Sequence, residues 1–281
     1  MSNKLSSMDE NEDIEIRLLL EAIYIKYGYD FRSYSTAHMK RRILQRMTIA
    51  GINSITDMQH KVLYEKEFLK TILSDFSINV TEMFRDPMFY KAFRKEVVPV
   101  LKTYPFIKVW HAGCSTGEEV YSMAIIFKEE GLYDRAQLYA TDFNAIVLNK
   151  AKEGIYPIDA IKEYTYNYQK SGGKASFSDY YIAKYDSVIL EQSLKEKIIF
   201  AEHNLVTDGV FGEMNVVLCR NVLIYFNREL QNRVIKLFLD SLCHGCFLCL
   251  GSKETVRFSS CAGYFEPFIE NEKIYQRKLS I

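Results

Sequence analysis

The stretch "VWHAGCSTGEEVYSMAIIF", Val109–Phe127, decides the fold of this chain. An apolar pair leads into a short loop with two glycines, two small hydroxyl residues and two acids, and a strongly apolar helical pattern follows. A strand, a tight loop and a helix in this order form the nucleotide site of open α/β sheets. The loop is acidic, however, and most nucleotides carry phosphates. The sequence therefore predicts a ligand that suits glycines and carboxylates together.

This loop differs from the dinucleotide fingerprint, because the chain has Gly113, Ser115 and Glu118 where that motif needs three glycines. A carboxylate at Glu118 would repel a phosphate and would suit hydroxyls or positive charge. Asp142, in "YATDFN", ends the next predicted strand, where a carboxylate can bind ribose hydroxyls. S-adenosylmethionine carries an ammonium, a sulfonium and a ribose but no phosphate, so it fits this pattern. The alternative is that Glu118 and Glu119 only stabilise the helix dipole.

Length and composition bound the other possibilities. The 281 residues allow one large domain or two modest ones. Lys+Arg and Asp+Glu both number 36, so the net charge identifies no partner. The N-terminus lacks the features of a signal peptide, and no apolar run reaches the ~18 residues of a membrane span. Six cysteines without a secretion signal indicate reduced thiols, so we expect a cytoplasmic protein.

The chain divides into four predicted regions. Residues 1–12 are polar and acidic and are expected to form a disordered tail. Residues 13–76 show helical periodicity with no strand pattern, which predicts a small all-helical N-terminal domain. Residues 77–104 are a linker and a helix that contribute to the cofactor site, and residues 105–281 form the cofactor-binding α/β domain.

The α/β region alternates strands with helices, which predicts a doubly wound, mostly parallel Rossmann-like sheet. "KIYQRKL" near the C-terminus can add an antiparallel edge strand. A tyrosine-rich stretch at about 155–196 predicts an antiparallel β insertion, with Gly172–Gly173 as its hairpin turn. The predicted strands are Ile107–His111, Leu138–Thr141, Ile198–Ala201, Val216–Cys219 and Phe247–Leu250, and the helices lie near 117–130, 144–153 and 228–242.

Two later strands also end in polar residues. Asn204, Arg220 and Asn221 are expected at the carboxyl edge of the sheet, where open α/β folds bind ligands. Tyr225 lies one helical turn beyond Asn221. The alternative is a buried strand followed by an ordinary helix start, but the shared edge with the acidic residues favours a ligand site.

A second cluster is basic. One predicted helix, named here the basic helix, carries Lys40, Arg41, Arg42 and Arg46, and no acid occurs between residues 31 and 56. Arg42 and Arg46 lie opposite an apolar stripe, so we expect both on a solvent face. The cluster is typical of a docking face, a solvated helix face or a nucleic-acid site. Neutral net charge and the short patch count against nucleic acid.

The motif "CHGCFLC" places Cys243, Cys246 and Cys249 at the spacing of iron–sulfur ligand runs. Cys246 and Cys249 fall in a predicted strand, where residues three apart point to opposite faces. Buried free cysteines are therefore favoured over a metal site, and we expect no metal. His111 and His203 are expected to pack and form hydrogen bonds rather than to catalyse.

Several of these motifs together resemble one known family. "SINVTEMFRD", "HAGCSTGEE", "ATDFN" and "CRNVLIYF" are similar to motifs of the chemotaxis receptor methyltransferases, the CheR family. Residues 28–47 also resemble that family's helical domain, so the match covers nearly the whole chain in order. In this family S-adenosylmethionine methylates glutamate side chains on the cytoplasmic stalk of chemoreceptors, which yields a methyl ester and S-adenosylhomocysteine.

The resemblance implies roles for particular residues. Arg85 and Tyr225 would lie beside the transferred methyl, and the basic helix, with Lys40, Arg41, Arg42 and Arg46, would dock an acidic helical receptor stalk. The cofactor site would be lined by Asn79, Thr81, Arg85, Gly113, Glu118, Asp142, Asn204, Leu205, Arg220 and Asn221.

The chemistry agrees with these residue types. A glutamate carboxylate, with a pKa of ~4.3, is ionised at neutral pH and needs no general base. Catalysis can therefore be mostly positioning, with Arg85 holding the carboxylate and Tyr225 fixing its orientation. Two alternatives are a regulatory module that binds the cofactor without turnover and a methyltransferase for a non-receptor carboxylate.

Two segments depart from the family pattern. In some members the insertion grips a receptor's C-terminal peptide through a glycine-containing loop, but "YQKSGGKASFSD" has a different setting here. "GSKETV", residues 251–256, replaces the family's more usual histidine-containing turn.

Overall fold

The computed structural model describes residues 2–77 and 81–279, and it describes side chains from residue 10 onward. The chain forms two compact units. The first unit is Met1–Ile78 with Tyr225–Gln231, and the second is Asn79–Ile224 with Asn232–Ile281.

The first unit is helical, as predicted. Within the described residues of its N-terminal part, the helices are α1 (Ser2–Tyr27), α2 (Thr36–Ala50), α3 (Ile55–Tyr64) and α4 (Lys66–Phe76). Helix α1 includes residues 2–12, which differs from the disordered tail that the sequence predicts. That polar stretch contains neither proline nor glycine, so nothing in it interrupts a helix that continues into an apolar face.

Local signals set the ends of these helices. Gly51, with a φ of 63°, ends the basic helix α2, and its backbone N–H donates to the carbonyls of Met47 and Thr48. The Ser54 side chain caps α3 by accepting from the backbone N–H of Asp57. The apolar stripe of α2 is buried at Met39 and Ile43, which packs the helix against its neighbours.

The second unit begins with α5 (Pro87–Ala92), a π-helical segment (Phe93–Val97) and α6 (Val98–Leu101). Later helices of the chain are α7 (Glu118–Glu129), α8 (Ala145–Glu153), α9 (Ile161–Lys170) and α10 (Arg228–Ser241). The strands are β1 (Ile107–Ala112), β2 (Ala136–Asp142), β3 (Ile155–Pro157), β4 (Tyr181–Lys184), β5 (Ser187–Leu190), β6 (Ile198–Glu202), β7 (Met214–Cys219), β8 (Leu242–Leu250), β9 (Phe265–Ile269) and β10 (Ile274–Arg277).

The main sheet has the order β6-β2-β1-β7-β8-β10-β9, seven strands within the described residues. Strands β6, β2, β1, β7 and β8 are parallel, and β10 pairs antiparallel with both β8 and β9. The chain leaves β1 towards β2 on one side, and β7 lies on the other side. This reversal is the topological switch point, outside whose carboxyl ends such sheets bind ligands.

The sequence predicts the five parallel strands and the antiparallel direction of β10 correctly. It misses β9, which makes β9 rather than β10 the edge strand. Strand β9 contains Pro267, a residue that marks a segment as unsuitable for a central strand but is tolerated at an edge.

The insertion contains a three-stranded antiparallel sheet, ordered β3-β5-β4, together with α9. The predicted hairpin turn at Gly172–Gly173 is wrong. The turn between β4 and β5 is formed by residues 185–186, where Tyr185 has a φ of 53°. The two glycines instead follow α9, and a Cβ on Gly173 would lie 2.2 Å from the Tyr168 ring. Close approach to an aromatic ring, not a hairpin, requires glycine there.

Among the described helices, none combines the length and the hydrophobicity that crossing a membrane requires.

Candidate functional site

The acidic loop, residues 113–119, follows β1 and is shaped by two glycines. Gly113 and Gly117 have φ values of 80° and 94°. A Cβ on Gly113 would lie 2.8 Å from Val222, and one on Gly117 would lie 2.9 Å from the Cβ of Ala151. Both positions therefore need glycine for conformation and for space.

Asp142, at the end of β2, fixes this loop through hydrogen bonds. Its Oδ2 accepts from the backbone N–H of Ser115 at 3.0 Å, and its Oδ1 accepts from that of Asn144 at 3.0 Å. Gly113 N–H donates to the carbonyl of Thr141 at 2.9 Å. Burial raises the pKa of Asp142, and the backbone hydrogen bonds oppose that rise. The carboxylate keeps lone pairs that can accept from ligand hydroxyls.

Glu118 is the first residue of α7, and only 5% of it is exposed. Its Oε2 accepts a hydrogen bond from the Thr116 hydroxyl at 2.7 Å. Burial raises the pKa of Glu118 to about 7, although hydrogen bonding partly opposes the shift. A ligand with positive charge or hydroxyl donors would favour the ionised form, so this side chain can respond to ligand binding.

Glu119, the next residue, has a different environment. Its Oε1 lies 3.0 Å from His111 Nδ1, and its Oε2 accepts from Arg220 at 3.4 Å. Burial favours the neutral acid, but the hydrogen bond from His111 and the charge of Arg220 hold the pKa of Glu119 below its usual value. The two neighbouring acids thus separate: Glu119 is paired inside the protein, whereas Glu118 is a candidate ligand residue.

Arg220 follows β7 and joins it to the segment before α5. Its Nη2 donates to the carbonyl of Arg85 at 3.2 Å and to Asp86 at 2.8 Å. Its guanidinium carbon lies 4.1 Å from the centre of the Phe89 ring. Because its side chain is 3% exposed and bound to Asp86 and Glu119, Arg220 mainly holds neighbouring segments together.

The segment of residues 81–86 also packs on α7. The backbone N–H of Phe84 donates to the Ser122 hydroxyl at 2.9 Å. Thr81 and Arg85 are partly buried in this segment, whereas Asn79 lies outside the described residues. The structure therefore brings residues 81–86, the start of α7 and the end of β7 together.

Asn204 shapes the turn after β6. Its side-chain oxygen accepts from the backbone N–H of Val206 at 3.0 Å, and its own N–H donates to Asp208 at 2.9 Å. Leu205, in the same turn, is buried. These residues thus form a fixed turn at the carboxyl end of the parallel strand β6.

Glu254 is a site-shaping residue that the sequence prediction missed. It is buried, and Oε2 accepts from the backbone N–H groups of Asn221 at 2.9 Å and Gly251 at 2.6 Å. Asn221 has a φ of 62°, so this carboxylate stabilises a left-handed turn after β7. The available signal was an acid just beyond a predicted strand, at the same sheet edge as Glu118 and Asp142.

Tyr225 belongs to the first unit. Its carbonyl accepts from the backbone N–H of Ser35 at 2.8 Å, and its ring centre lies 5.4 Å from that of His38. The pairing of Tyr225 with Arg85 beside a transferred methyl stays a prediction.

The basic helix is only partly solvent-facing. Arg46 forms a two-pronged ion pair with Asp75 of α4, at 2.5 and 2.7 Å, and its side chain is 17% exposed. The prediction that Arg46 lies on a solvent face is therefore wrong. Its partner Asp75 lies outside residues 31–56, the stretch without acids on which that prediction rests. Lys40 lies 3.3 Å from Glu12. Arg41 is exposed and Arg42 is partly buried.

His111 and His203 are buried, and Cys246 and Cys249 are buried in β8. All six cysteines are free, and Cys246 lies 3.5 Å from the Tyr104 hydroxyl. Over residues 2–77 and 81–279, no cluster of three or more histidine, cysteine or acidic side chains could hold a metal ion. His111 contacts Glu119, and His203 contacts the carbonyl of Gly209 at 3.0 Å.

The donor set at this edge fits S-adenosylmethionine. Glu118 and Asp142 are buried carboxylates that suit hydroxyl donors and a cation, and neither suits a phosphate. The close contacts of Gly113 with Val222 and of Gly117 with Ala151 hold the turn beside these two carboxylates in a narrow form.

Comparison with known proteins gives the same answer. Residues 79–268 match the family described as "CheR methyltransferase, SAM binding domain", and residues 14–77 match "CheR methyltransferase, all-alpha domain". The chain is 51% identical over 269 residues to a protein named as a methyltransferase, Cher3, of Pseudomonas putida, with 96% of this chain and 98% of that protein covered. It is 29% identical to the chemotaxis protein methyltransferase of Listeria innocua, with 82% of this chain and 85% of that protein covered. S-adenosylmethionine is thus confirmed as the cofactor, and the chain belongs to the CheR methyltransferase family.

Proposed function

We propose that this protein transfers a methyl group from S-adenosylmethionine to glutamate side chains on the cytoplasmic region of chemoreceptor-like proteins, and that it acts in the cytoplasm. The observation that carries the proposal is the pair of buried carboxylates, Glu118 and Asp142, at the switch point of a methyltransferase-family sheet. The chemotaxis methyltransferases named among its relatives support the receptor as the substrate.

The cofactor supplies an electrophilic methyl group on a sulfonium. On this side of the site, Asp142 would accept from the ribose hydroxyls, and ionised Glu118 would stabilise the bound ligand. Thr81, Gly113, Asn204, Leu205 and Asn221 would complete the binding surface together with Arg85, Arg220 and Asn79, the last of which lies outside the described residues.

The acceptor would be a glutamate carboxylate, which is ionised at neutral pH. One carboxylate oxygen would form a bond to the methyl carbon as the bond from carbon to sulfur breaks, which yields the methyl ester and S-adenosylhomocysteine. Arg220 is bound to Asp86 and Glu119. Arg85 would hold the substrate carboxylate through two parallel hydrogen bonds. Tyr225 would orient the carboxylate through its hydroxyl, and no proton transfer is needed.

The receptor would dock on the basic helix. Lys40 and Arg46 are engaged with acids of this chain, so exposed Arg41 and partly buried Arg42 would form the centre of the docking face. Lys40 and Arg46 would flank it and add to the positive potential. An acidic helical stalk has the complementary charge.

Labelled methyl donor and receptor fragments test the proposal directly. We expect a base-labile methyl ester on glutamate. Arg85→Ala should lower the rate of methyl transfer more than it lowers cofactor affinity. Cofactor binding with no transfer to any acidic coiled-coil fragment would instead indicate a regulatory module. Transfer only to small carboxylic acids would indicate a different substrate class.

A further inference from the structure

The segment that contains Tyr225 is held by the residues that lead into the basic helix. The backbone N–H of Ser35 donates to the carbonyl of Tyr225 at 2.8 Å, and that of Asn227 donates to the carbonyl of Ser33 at 2.9 Å. Between them, Tyr34 and Phe226 form an antiparallel bridge. The backbone of Tyr225 therefore has a fixed position relative to the start of α2.

The ring of Tyr225 meets the same helix. The ring centres of His38 and Tyr225 lie 5.4 Å apart, with the planes at 88° to each other. This perpendicular arrangement is the edge-to-face geometry that aromatic pairs prefer. His38 is in the first turn of α2, so the ring of the tyrosine contacts the helix whose preceding residues hold its backbone.

His38 also contacts the docking arginines. Its Nδ1 lies 3.4 Å from Nη2 of Arg41, an arrangement in which the neutral imidazole accepts the hydrogen bond. Burial and the positive charges of Arg41 and Arg42 lower the pKa of His38, so the ring stays neutral at neutral pH. The imidazole thus lies between the docking face and the ring of Tyr225.

We propose that His38 is a positioning residue for Tyr225, and that it couples the docking helix to the orientation of the tyrosine hydroxyl. This inference rests on the proposed methyl transfer, in which Tyr225 orients the substrate carboxylate. The hydroxyl can do so only in a fixed ring orientation, and the edge-to-face contact with His38 favours one orientation of the ring.

Kinetics of His38→Ala, with receptor fragment as substrate, test this. We expect kcat to fall about tenfold, less than the hundredfold that a 1 Å misplacement can cost. The affinity for cofactor should change by less than about twofold, because the second unit is untouched. The KM for receptor should change less than kcat, because both docking arginines remain although Arg41 loses its hydrogen bond to His38. His38→Phe keeps an aromatic partner and should restore most of kcat.

His60→Ala is the matched control. His60 is an exposed histidine of α3 whose ring lies 4.7 Å from that of Tyr64, so its loss removes a similar ring pair elsewhere in the first unit. We expect wild-type kcat from it. Circular dichroism of each variant establishes that the helices are intact.

A double variant gives the decisive comparison. In Tyr225→Phe the ring remains but the hydroxyl is absent, so adding His38→Ala should lower kcat no further. Additive losses, a change in receptor KM alone, or no rescue by His38→Phe would each overturn the inference. If wild-type protein transfers no methyl to receptor, the proposed function fails first and this inference with it. If wild type is active and His38→Ala matches it, the inference alone fails.

Discussion

The acidic loop and the basic helix both concentrate charge, but they hold it in opposite ways. Glu118 is buried against the hydroxyl of Thr116, and its pKa rises to about 7. Arg46 is hydrogen-bonded to Asp75, and Lys40 lies near Glu12, so the chain neutralises half of its own basic helix. The acidic loop therefore contains a carboxylate whose ionised form a ligand can stabilise. The basic helix has already paired part of its positive charge with acids of the same chain.

The difference shows how to weigh charged clusters. Burial without an opposite charge is expensive, so a carboxylate in that condition needs hydrogen bonds, which the backbone supplies to Glu254 and a ligand can supply to Glu118. Exposed or paired charges cost little and contribute little, so their number alone indicates much less. By this measure the cofactor site is well supported, and the docking face reduces to Arg41 and Arg42 with weaker flanks.

The largest expected effect is on the acidic side. Asp142→Ala should weaken S-adenosylmethionine binding by about 1.5–3 kcal/mol, the range for hydrogen bonds to a charged group. The change also frees the N–H groups of Ser115 and Asn144 that now hold the loop. Calorimetry measures the affinity, and Asp240→Ala, an exposed acid paired with Lys236, is the control. Unchanged affinity in a folded variant would remove Asp142 from the site.

The second effect is a pH dependence set by Glu118. A carboxyl whose pKa is raised by folding binds more protons in the folded state. The unliganded protein therefore loses stability as the pH rises from 4.5, the ordinary pKa of this carboxyl, to about 7. A cationic ligand favours the ionised form, so cofactor affinity should rise about tenfold between pH 6 and 8 and then level off. Glu118→Gln should flatten this profile. A wild-type profile already flat across this range would contradict the assignment.

These two predictions concern the part of the molecule that the sequence describes best. Strands β1, β2, β6, β7 and β8 were predictable because each is a short apolar run ended by polar residues. The positions of Glu118 and Asp142 were predictable, because Asp142 ends β2 and Glu118 begins the helix that follows β1. Their roles in cofactor binding stay predictions. Local pattern, which sequence shows directly, decides all of this.

The misses depend on pairing between distant residues. Glu254 acts on a turn 30 residues away, and the partner of Arg46 lies 29 residues along the chain. The docking of residues 225–227 against residues 33–35 joins segments almost 200 residues apart, which no periodicity reveals. Two further misses are local. Pro267 made edge strand β9 look unlike a strand, and the Gly172–Gly173 pair, where Gly173 makes room for the Tyr168 ring, resembled a hairpin turn.

A smaller effect is expected on the basic side. Reversing Arg41 and Arg42 to glutamate should raise the receptor KM about fivefold and leave cofactor affinity intact, because charges at the rim of an interface act mainly on association. Wild-type turnover at low receptor concentration should weaken with salt, since the Debye length is ~8 Å at 0.15 M, and the variant should lose most of that dependence. Lys66→Glu with Lys70→Glu, on exposed positions of α4, is the matched double reversal. Equal effects of both double variants would indicate net charge rather than a docking face.

The smallest effect separates Arg46 from its neighbours. Its ion pair with Asp75 joins α2 to α4, and both side chains are mostly buried, at 17% and 24% exposure. Arg46→Ala should therefore lower the free energy of unfolding by about 1 kcal/mol, the upper part of the range for such pairs. Asp75→Ala should cost a similar amount, and the double variant should cost less than the sum of the two.

Receptor KM should stay within about twofold of wild type in Arg46→Ala, because a guanidinium already bonded to a carboxylate of this chain has few hydrogen-bond donors left for a substrate. Denaturant unfolding and receptor kinetics on the same preparations decide between the roles. A normal unfolding curve combined with a KM raised as far as in the Arg41 and Arg42 variant would place Arg46 in the docking face and restore the full basic helix to it.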